Sequence, residues 1–310
     1  MKSAIAILTY NRLHALKAEL DGLLKHCDYP LAIFDDCGQK DGTETYLRES
    51  FLKVADQAKR REDLMADEIK APHISSKTTA FLGHSNLGVT GNSNRAIKWF
   101  MDETDCDHLM LINDDMLVYG DFVDFYARGH NDLDVGLFCF CDFDRASPAI
   151  SGHPDTYRWI TVSSRGWRVK LLPRMTGIMM SMTRKLVETI GYYDSRFGRF
   201  GEEHCDYTIR ARLAGFINLD GQMQNCLDLE FPPFKKLLGH QDVETSLGGP
   251  DRDAANREAG VIMREICKRY GQEPLYRPFA LRQPRTVGGH GGFGIPAENL
   301  QHYKLAHMPA

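Results

Sequence analysis

The sequence predicts an open α/β protein built on a mostly parallel central sheet flanked by helices. Short apolar runs alternate with segments of helical periodicity through the first 140 residues. Each run stops abruptly on polar residues, and two stop on paired carboxylates, Asp35-Asp36 and Asp114-Asp115. In open α/β sheets ligands bind at the carboxyl ends of the strands, so the same pattern also predicts where a site would lie.

Residues 4–8 (AIAIL) read as a buried strand ended by Thr9-Tyr10-Asn11-Arg12. Leu13, Leu16, Leu20, Leu23 and Leu24 then recur at helical spacing up to Cys27, and Pro30 closes the segment. Residues 31–34 (LAIF) form a second strand, and residues 44–70 read as a charged helix with a solvated face. Residues 80–82 are a third strand; Gly88 and Gly91 mark a turn before a helix over residues 92–101. Residues 108–112 are a fourth strand, stopped by Asn113-Asp114-Asp115. Asp121 caps a helix reaching Gly129, and residues 135–140 are a further strand.

The second half changes character. Residues 142–175 read as loop and short strands, and residues 176–182, with Met179, Met180 and Met182 as core, as a central strand. A helix over 184–190 ends at Gly191, and one over 202–214 ends at Gly215 as C-cap. Residues 216–219 read as a strand and 251–270 as an amphipathic helix. The tail, 272–310, holds His290 among glycines with Arg282 and Arg285 nearby, and reads as a loop or a mobile lid.

Composition narrows the function classes. The 310 residues are 43% hydrophobic and 26% charged, enough for a full core. A net charge of -4 does not favour tracking along a nucleic-acid backbone. The first apolar run ends at Thr9, too early for a signal peptide, and no other stretch reaches spanning length, so a soluble cytoplasmic protein is expected. Eight cysteines without a CxxC pair predict free thiols rather than a zinc site or a disulfide scaffold.

Adjacent carboxylates after a buried strand repel each other unless a cation sits between them, and hard oxygen ligands suit Mg2+ or Mn2+. Asp114-Asp115 is such a pair, although an isolated Asp-Asp more often only caps a turn. Asp35-Asp36 can accept hydrogen bonds from a base or ribose. The segment from Asn86 to Asn94, with Gly88 and Gly91, lets backbone and amides approach a ligand. Glu202-Glu203-His204 opens a helix carrying Arg210 and Arg212, and a histidine among carboxylates is a competent proton acceptor. Trp159 and Trp167 are candidates for stacking on an acceptor or for packing.

Taken in order, these motifs resemble family-2-type glycosyltransferases with the GT-A fold, over roughly residues 1 to 220. The resemblance implies a GT-A domain over 1–245, with a nucleotide-binding half (1–118) and an acceptor half (119–245), followed by a helix and tail over 246–310. It implies that Thr9, Tyr10, Asn11 and Arg12 line the nucleotide pocket, with Asp36 or Asp35 on the base. Asn86, Gly91 and Asn94 would approach the nucleoside. Asn113-Asp114-Asp115 falls on the family's DxD motif: Asp115 would hold Mn2+ or Mg2+, Asp114 the ribose or sugar, and His240 a third metal position. Asn113 replaces the motif's first acid. Glu203 or His204 would be the base; without one the reaction would retain configuration.

The expected activity is therefore non-processive transfer from a nucleotide sugar, a UDP-sugar first, to an acceptor hydroxyl. A glycan is the default acceptor, with a protein side chain or a modified nucleic-acid base as alternatives. The Arg-rich stretches 158–174 and 277–285 could serve a phosphate-bearing acceptor. Two rivals are a sugar-nucleotide nucleotidyltransferase and a non-catalytic nucleotide-sugar binder. The first should open with a Gly-rich basic phosphate loop where this chain has Thr9-Tyr10-Asn11-Arg12.

Overall fold

The computed structural model describes residues 1–51, 68–70, 78–140, 160–172, 177–220, 222–223, 226–241 and 249–269. The elements run β1 (Ser3–Thr9), α1 (Leu13–His26), β2 (Leu31–Asp35), α2 (Thr43–Phe51), β3 (Glu68–Lys70), β4 (Thr78–Gly83), α3 (Gly88–Glu103) and β5 (His108–Asn113). They continue with β6 (Met116–Val118), α4 (Phe122–Leu133), β7 (Leu137–Cys139), β8 (Ile160–Ser164), β9 (Trp167–Leu172), β10 (Met179–Thr183) and α5 (Arg184–Ile190). The last are α6 (Glu203–Leu213), β11 (Asn218–Leu219), β12 (Gln222–Met223), β13 (Cys226–Leu229), β14 (Leu238–His240) and α7 (Gly249–Arg269).

Seven strands form the main sheet in the order β3-β4-β2-β1-β5-β10-β7. The four in the middle, β4, β2, β1 and β5, are parallel, whereas β3 and β10 run antiparallel to their neighbours. Helices cover both faces of a doubly wound sheet, so the parallel strands are largely buried, and every residue of β1 and β2 is buried. The chain leaves β1 towards β2 on one side and returns to β5 on the other. That reversal makes a topological switch point between Thr9 and Asn113. Three small ribbons lie outside this frame among the described residues: β13-β9-β8, β14 paired with β6, and β11 paired with β12.

Local signals explain the boundaries. Leu16, Leu20 and Leu23 bury one face of α1, whose last turn carries Lys25 and His26, favourable at the helix dipole's negative end. Asp121 caps α4 by accepting from the Asp124 amide at 3.1 Å, and Thr183 caps α5 by accepting from Leu186 at 3.2 Å.

Three expectations are corrected. The 44–70 helix is described over Thr43–Phe51, and its expected end, Glu68–Lys70, is instead an antiparallel edge strand. The helix expected from residue 92 begins at Gly88, one turn earlier. The central strand expected over 176–182 is present as β10, and it runs antiparallel to both β5 and β7. Residues 216–219 give only the two-residue β11, outside the main sheet. The C-terminal helix, in contrast, packs on the body: Ala259, Met263 and Ile266 are buried, and Ala259 lies against Gly201. The tail from 270 onward, including His290, and Trp159 lie outside the described residues. Among the described residues no helix is long and apolar enough to cross a membrane.

At the edge of the sheet opposite the switch point a buried polar chain links β1, β5, β10 and α4. Ser3 Oγ meets His108 Nδ1 at 2.9 Å, and Ser181 Oγ meets both His108 Nε2 and His130 Nε2 at 2.8 Å. His130 Nδ1 reaches the Val135 carbonyl, which can only accept. The carbonyl fixes a proton on His130 Nδ1. Burial favours the neutral imidazoles, pushing His108 well down and His130 down to about 4. With both neutral, His130 accepts at Nε2 from Ser181, which in turn accepts from His108.

A histidine held neutral in the fold but ordinary when unfolded stabilises above its unfolded value and loses that contribution as pH falls. The stability advantage of the native chain over His130→Gln in urea melts should be constant above about pH 7 and shrink as pH falls from 6.5 towards 4, by up to ~3 kcal/mol. A gap independent of pH would mean that His130 is not held neutral.

Candidate functional site

Register brings the strand ends together. Thr9 stands opposite Asp35, and Leu8 opposite Asn113. The ladders then continue past the strands: the Asp36 amide donates to the Thr9 carbonyl at 2.9 Å and the Asp114 amide to the Leu8 carbonyl at 3.1 Å. Asp36, Thr9 and Asp114 therefore share one rim, at the switch point.

Around Asp114 and Asp115 the contacts are dense. Thr9 Oγ1 donates to Asp114 Oδ2 at 2.7 Å. The Arg12 guanidinium spans both acids, with Nη1 donating to Asp115 Oδ2 at 2.9 Å and Nη2 paired with Asp114 Oδ1. Arg12 can reach them because Asn11 takes a left-handed backbone (φ 51°) and turns the chain ahead of α1. His240 Nε2 lies 3.4 Å from the same Asp115 Oδ2, delivered by β14, which pairs with β6 immediately after Asp115. The Gln241 amide fixes that junction by donating to the Asp115 carbonyl at 2.6 Å.

The two acids behave differently. Burial pushes Asp114 up to about 7, even with Arg12 and Thr9 holding it. Burial also acts on Asp115, but His240 and Arg12 outweigh it and keep its carboxyl below the usual range. Nearby is an acid that sequence reasoning missed. Glu19 is fully buried, and neither carboxylate oxygen has a hydrogen-bond partner among the described residues. Burial, then Asp114 and Asp115, push it well above the ordinary range, which favours the neutral acid. Its position between Leu16, Leu20 and Leu23 on the apolar face of α1 was the available signal.

The other acidic pair also divides its work. Asp36 accepts from the amides of Leu87 at 2.8 Å and Gly88 at 2.7 Å, and so caps α3 with both oxygens. Asp35 accepts from Gly38 at 2.8 Å through Oδ2, while Oδ1 has no hydrogen-bond partner among the described residues. Burial raises Asp35 to about 7. Asn86 accepts from the Gly88 amide at 3.0 Å, and Gly91 faces Leu87 within the first turns of α3. Asn94 does not present a free amide: it donates to the Tyr193 carbonyl at 3.0 Å and accepts from the Tyr193 amide at 2.9 Å. It pins α3 to the chain ahead of α6.

The far wall is α6. Arg210, fully buried, donates to Asp206 and to the carbonyls of Ile190 and Tyr192, which locks the helix against the end of α5. At its start His204 Nδ1 meets Glu203 Oε1 at 2.7 Å. Glu203 is the more buried of the two; His204 lies nearer the surface. The imidazole rests on Gly177, where any side chain would clash, and the Gly177 carbonyl accepts from the Asn113 side-chain Nδ2 at 3.1 Å. Gly88 (φ 74°) likewise touches the backbone of Arg199, and the Val89 amide donates to the Arg199 carbonyl at 2.9 Å. A continuous chain of contacts thus runs from Asp36 through Gly88 and Arg199 to α6, back by His204, Gly177 and Asn113 to Asp115, and by Arg12 and Thr9 to Asp36. Trp167 stands apart: it donates to Asp132 at 2.9 Å and packs on Phe125.

No family model matches this chain, and no curated protein matches it. Solved structures do. The chain superposes on S. aureus TarS residues 1–349 in complex with UDP-GlcNAc, with a TM-score of 0.51, 14% identity, and coverage of 87% of this chain and 66% of that one. A mannosyltransferase, PcManGT from Pyrobaculum calidifontis in complex with GDP-Man and Mn2+, gives a TM-score of 0.45, 17% identity, and coverage of 69% and 53%. GalNAc-T7 with UDP, GalNAc and Mn2+ gives 0.49, 13%, and coverage of 78% and 44%. The chain spans between about half and two thirds of the first two structures. The TarS likeness establishes the fold, a GT-A fold, and the expectation drawn from the motifs holds at that level.

Glu19 gives a stability test. An acid neutral in the fold but ionised when unfolded takes up a proton on folding, so its contribution falls as pH rises above the unfolded value of about 4.5. In urea melts with chelator present, Glu19→Gln should gain on the native chain by ~1.4 kcal/mol per pH unit between pH 5 and 7. A constant difference would show Glu19 to be ionised and paired.

Proposed function

We propose that this GT-A-fold chain is a divalent-metal-dependent, non-processive glycosyltransferase that takes a UDP-sugar and delivers the sugar to a hydroxyl of a glycan acceptor. One observation carries the reading: two strand-end acidic pairs and a carboxylate–histidine pair line a single rim at the switch point of the sheet. The TarS structure with which the chain shares its fold holds UDP-GlcNAc, which supports the choice of donor.

The residues fit a cation shared with a diphosphate. Among the described residues no group of three or more His, Cys, Asp or Glu side chains is placed to hold a metal ion by itself. Asp115 and His240 offer two adjacent ligand atoms, Oδ2 and Nε2, 3.4 Å apart. Mn2+ or Mg2+ bound there would neutralise charge developing on the departing diphosphate. Thr9, Tyr10 and Asn11 wall the nucleoside side. Asp35, whose buried Oδ1 has no hydrogen-bond partner among the described residues, is the acceptor for a base or ribose donor, while Asp36 holds α3 in place. His204 takes the acceptor's proton at Nε2. Glu203 fixes the tautomer through Nδ1, so that Nε2 is the bare nitrogen. A base on the acceptor side implies single displacement with inversion.

A screen of UDP-, GDP- and TDP-sugars with Mn2+ and Mg2+ should show UDP-sugar turnover and thermal stabilisation. If no nucleotide sugar stabilises the protein or turns over, the proposal fails. Asp115→Ala should abolish metal-dependent donor binding and leave the circular dichroism unchanged. His204→Ala should lower kcat ~10²–10⁴-fold and keep the thermal shift with donor. Loss of donor binding in that variant would move His204 out of the base role.

A further inference from the structure

We propose that Arg12 is an internal counter-ion that holds the cation site shut until a nucleoside diphosphate draws it away, so that metal and diphosphate enter together. The inference rests on the metal-dependent reading above and adds to it an order of events.

The geometry points to competition. The Asp115 oxygen beside His240 Nε2 is also the one that Arg12 Nη1 holds at 2.9 Å. A cation bridging Asp115 and His240 would need that oxygen. Arg12 can yield it: the residue precedes α1, its side chain makes no helix cap, and its Nε has no hydrogen-bond partner among the described residues. Among them, its polar hold is therefore at the guanidinium tips.

Asp114 and Asp115 respond differently to its departure. Asp114 keeps the Thr9 hydroxyl at 2.7 Å and the Tyr10 amide. Asp115 loses its closest hydrogen-bond donor, and a buried carboxylate without a cation is costly. A divalent cation arriving alone would have to expel Arg12 from two carboxylates and offer it nothing in return. A diphosphate offers it charged oxygens that match the guanidinium fork. Binding of each is thus coupled to the other, and the coupling is reciprocal. The fork matters: a lysine would contribute charge but could not span two acids.

The test is Mn2+ binding to the full chain, read from the free-Mn2+ electron paramagnetic resonance signal, with and without UDP and corrected for Mn2+ bound by UDP in solution. The native protein should bind Mn2+ weakly alone and at least tenfold more tightly with UDP. Arg12→Gln should bind Mn2+ alone at least tenfold more tightly than the native protein and lose most of the gain from UDP, with Arg12→Lys intermediate. Removing Arg12 also lowers stability, so melting temperatures provide a second readout: Mn2+ alone should raise that of Arg12→Gln more than that of the native chain. Equal Mn2+ affinity and equal thermal shifts in native and variant proteins overturn the role of Arg12 and leave metal dependence standing. No Mn2+ binding by either protein, even with UDP, overturns metal dependence and the role of Arg12 together.

Discussion

Two backbone hydrogen bonds set the geometry on which everything else depends. Asp36 to Thr9 and Asp114 to Leu8 extend the parallel ladders one step beyond β2, β1 and β5. Strands in a parallel sheet are fixed in register by their buried faces, and a one-residue slip would turn each side chain to the opposite face. Zipping the chain past the strand ends carries that precision into the loops. Thr9 thereby meets Asp114, Asp36 meets the start of α3, and the acids of two strands that are not neighbours stand on one rim.

Concentrating acids there has a cost, and the surrounding residues divide it. Asp36 is satisfied by two amides at the start of α3 and Asp115 by Arg12 and His240, whereas at Glu19 burial favours the neutral acid. Buried charges persist only when paired or hydrogen-bonded. One arginine facing two aspartates supplies part of the counter-charge at this rim, and on that ground a cation is proposed to enter by exchange with the arginine rather than by filling an empty cage.

The strands that carry the acids were legible because parallel strands covered on both faces read as continuous apolar runs, and Asp35, Asp36, Asp114 and Asp115 follow such runs directly. The contacts among site residues were less so. Asn94 looks like a ligand-facing amide in sequence, yet its partner is the backbone of Tyr193, 99 positions away. Nothing local distinguishes an amide that mimics a peptide group from one that meets a nucleoside. The direction of β10 was hidden for a related reason: strand direction follows from the path of the return, and a short apolar run is the same read either way. That antiparallel run is what places Gly177, and with it His204, at the rim instead of the opposite edge. Glu68–Lys70 sits in a charged stretch whose composition favours a solvated helix, and pairing with β4 overrides it.

The central claim is that the rim at the switch point is one donor site in which Asp115 and His240 share a cation with a diphosphate. An anomalous-difference map at the manganese absorption edge, from crystals grown with UDP and Mn2+, tests it directly. The account predicts a peak ~2–2.3 Å from an Asp115 carboxylate oxygen and from His240 Nε2, with Arg12 turned away from Asp115 onto the diphosphate. A manganese peak elsewhere, or UDP bound with Arg12 still spanning Asp114 and Asp115, would contradict it.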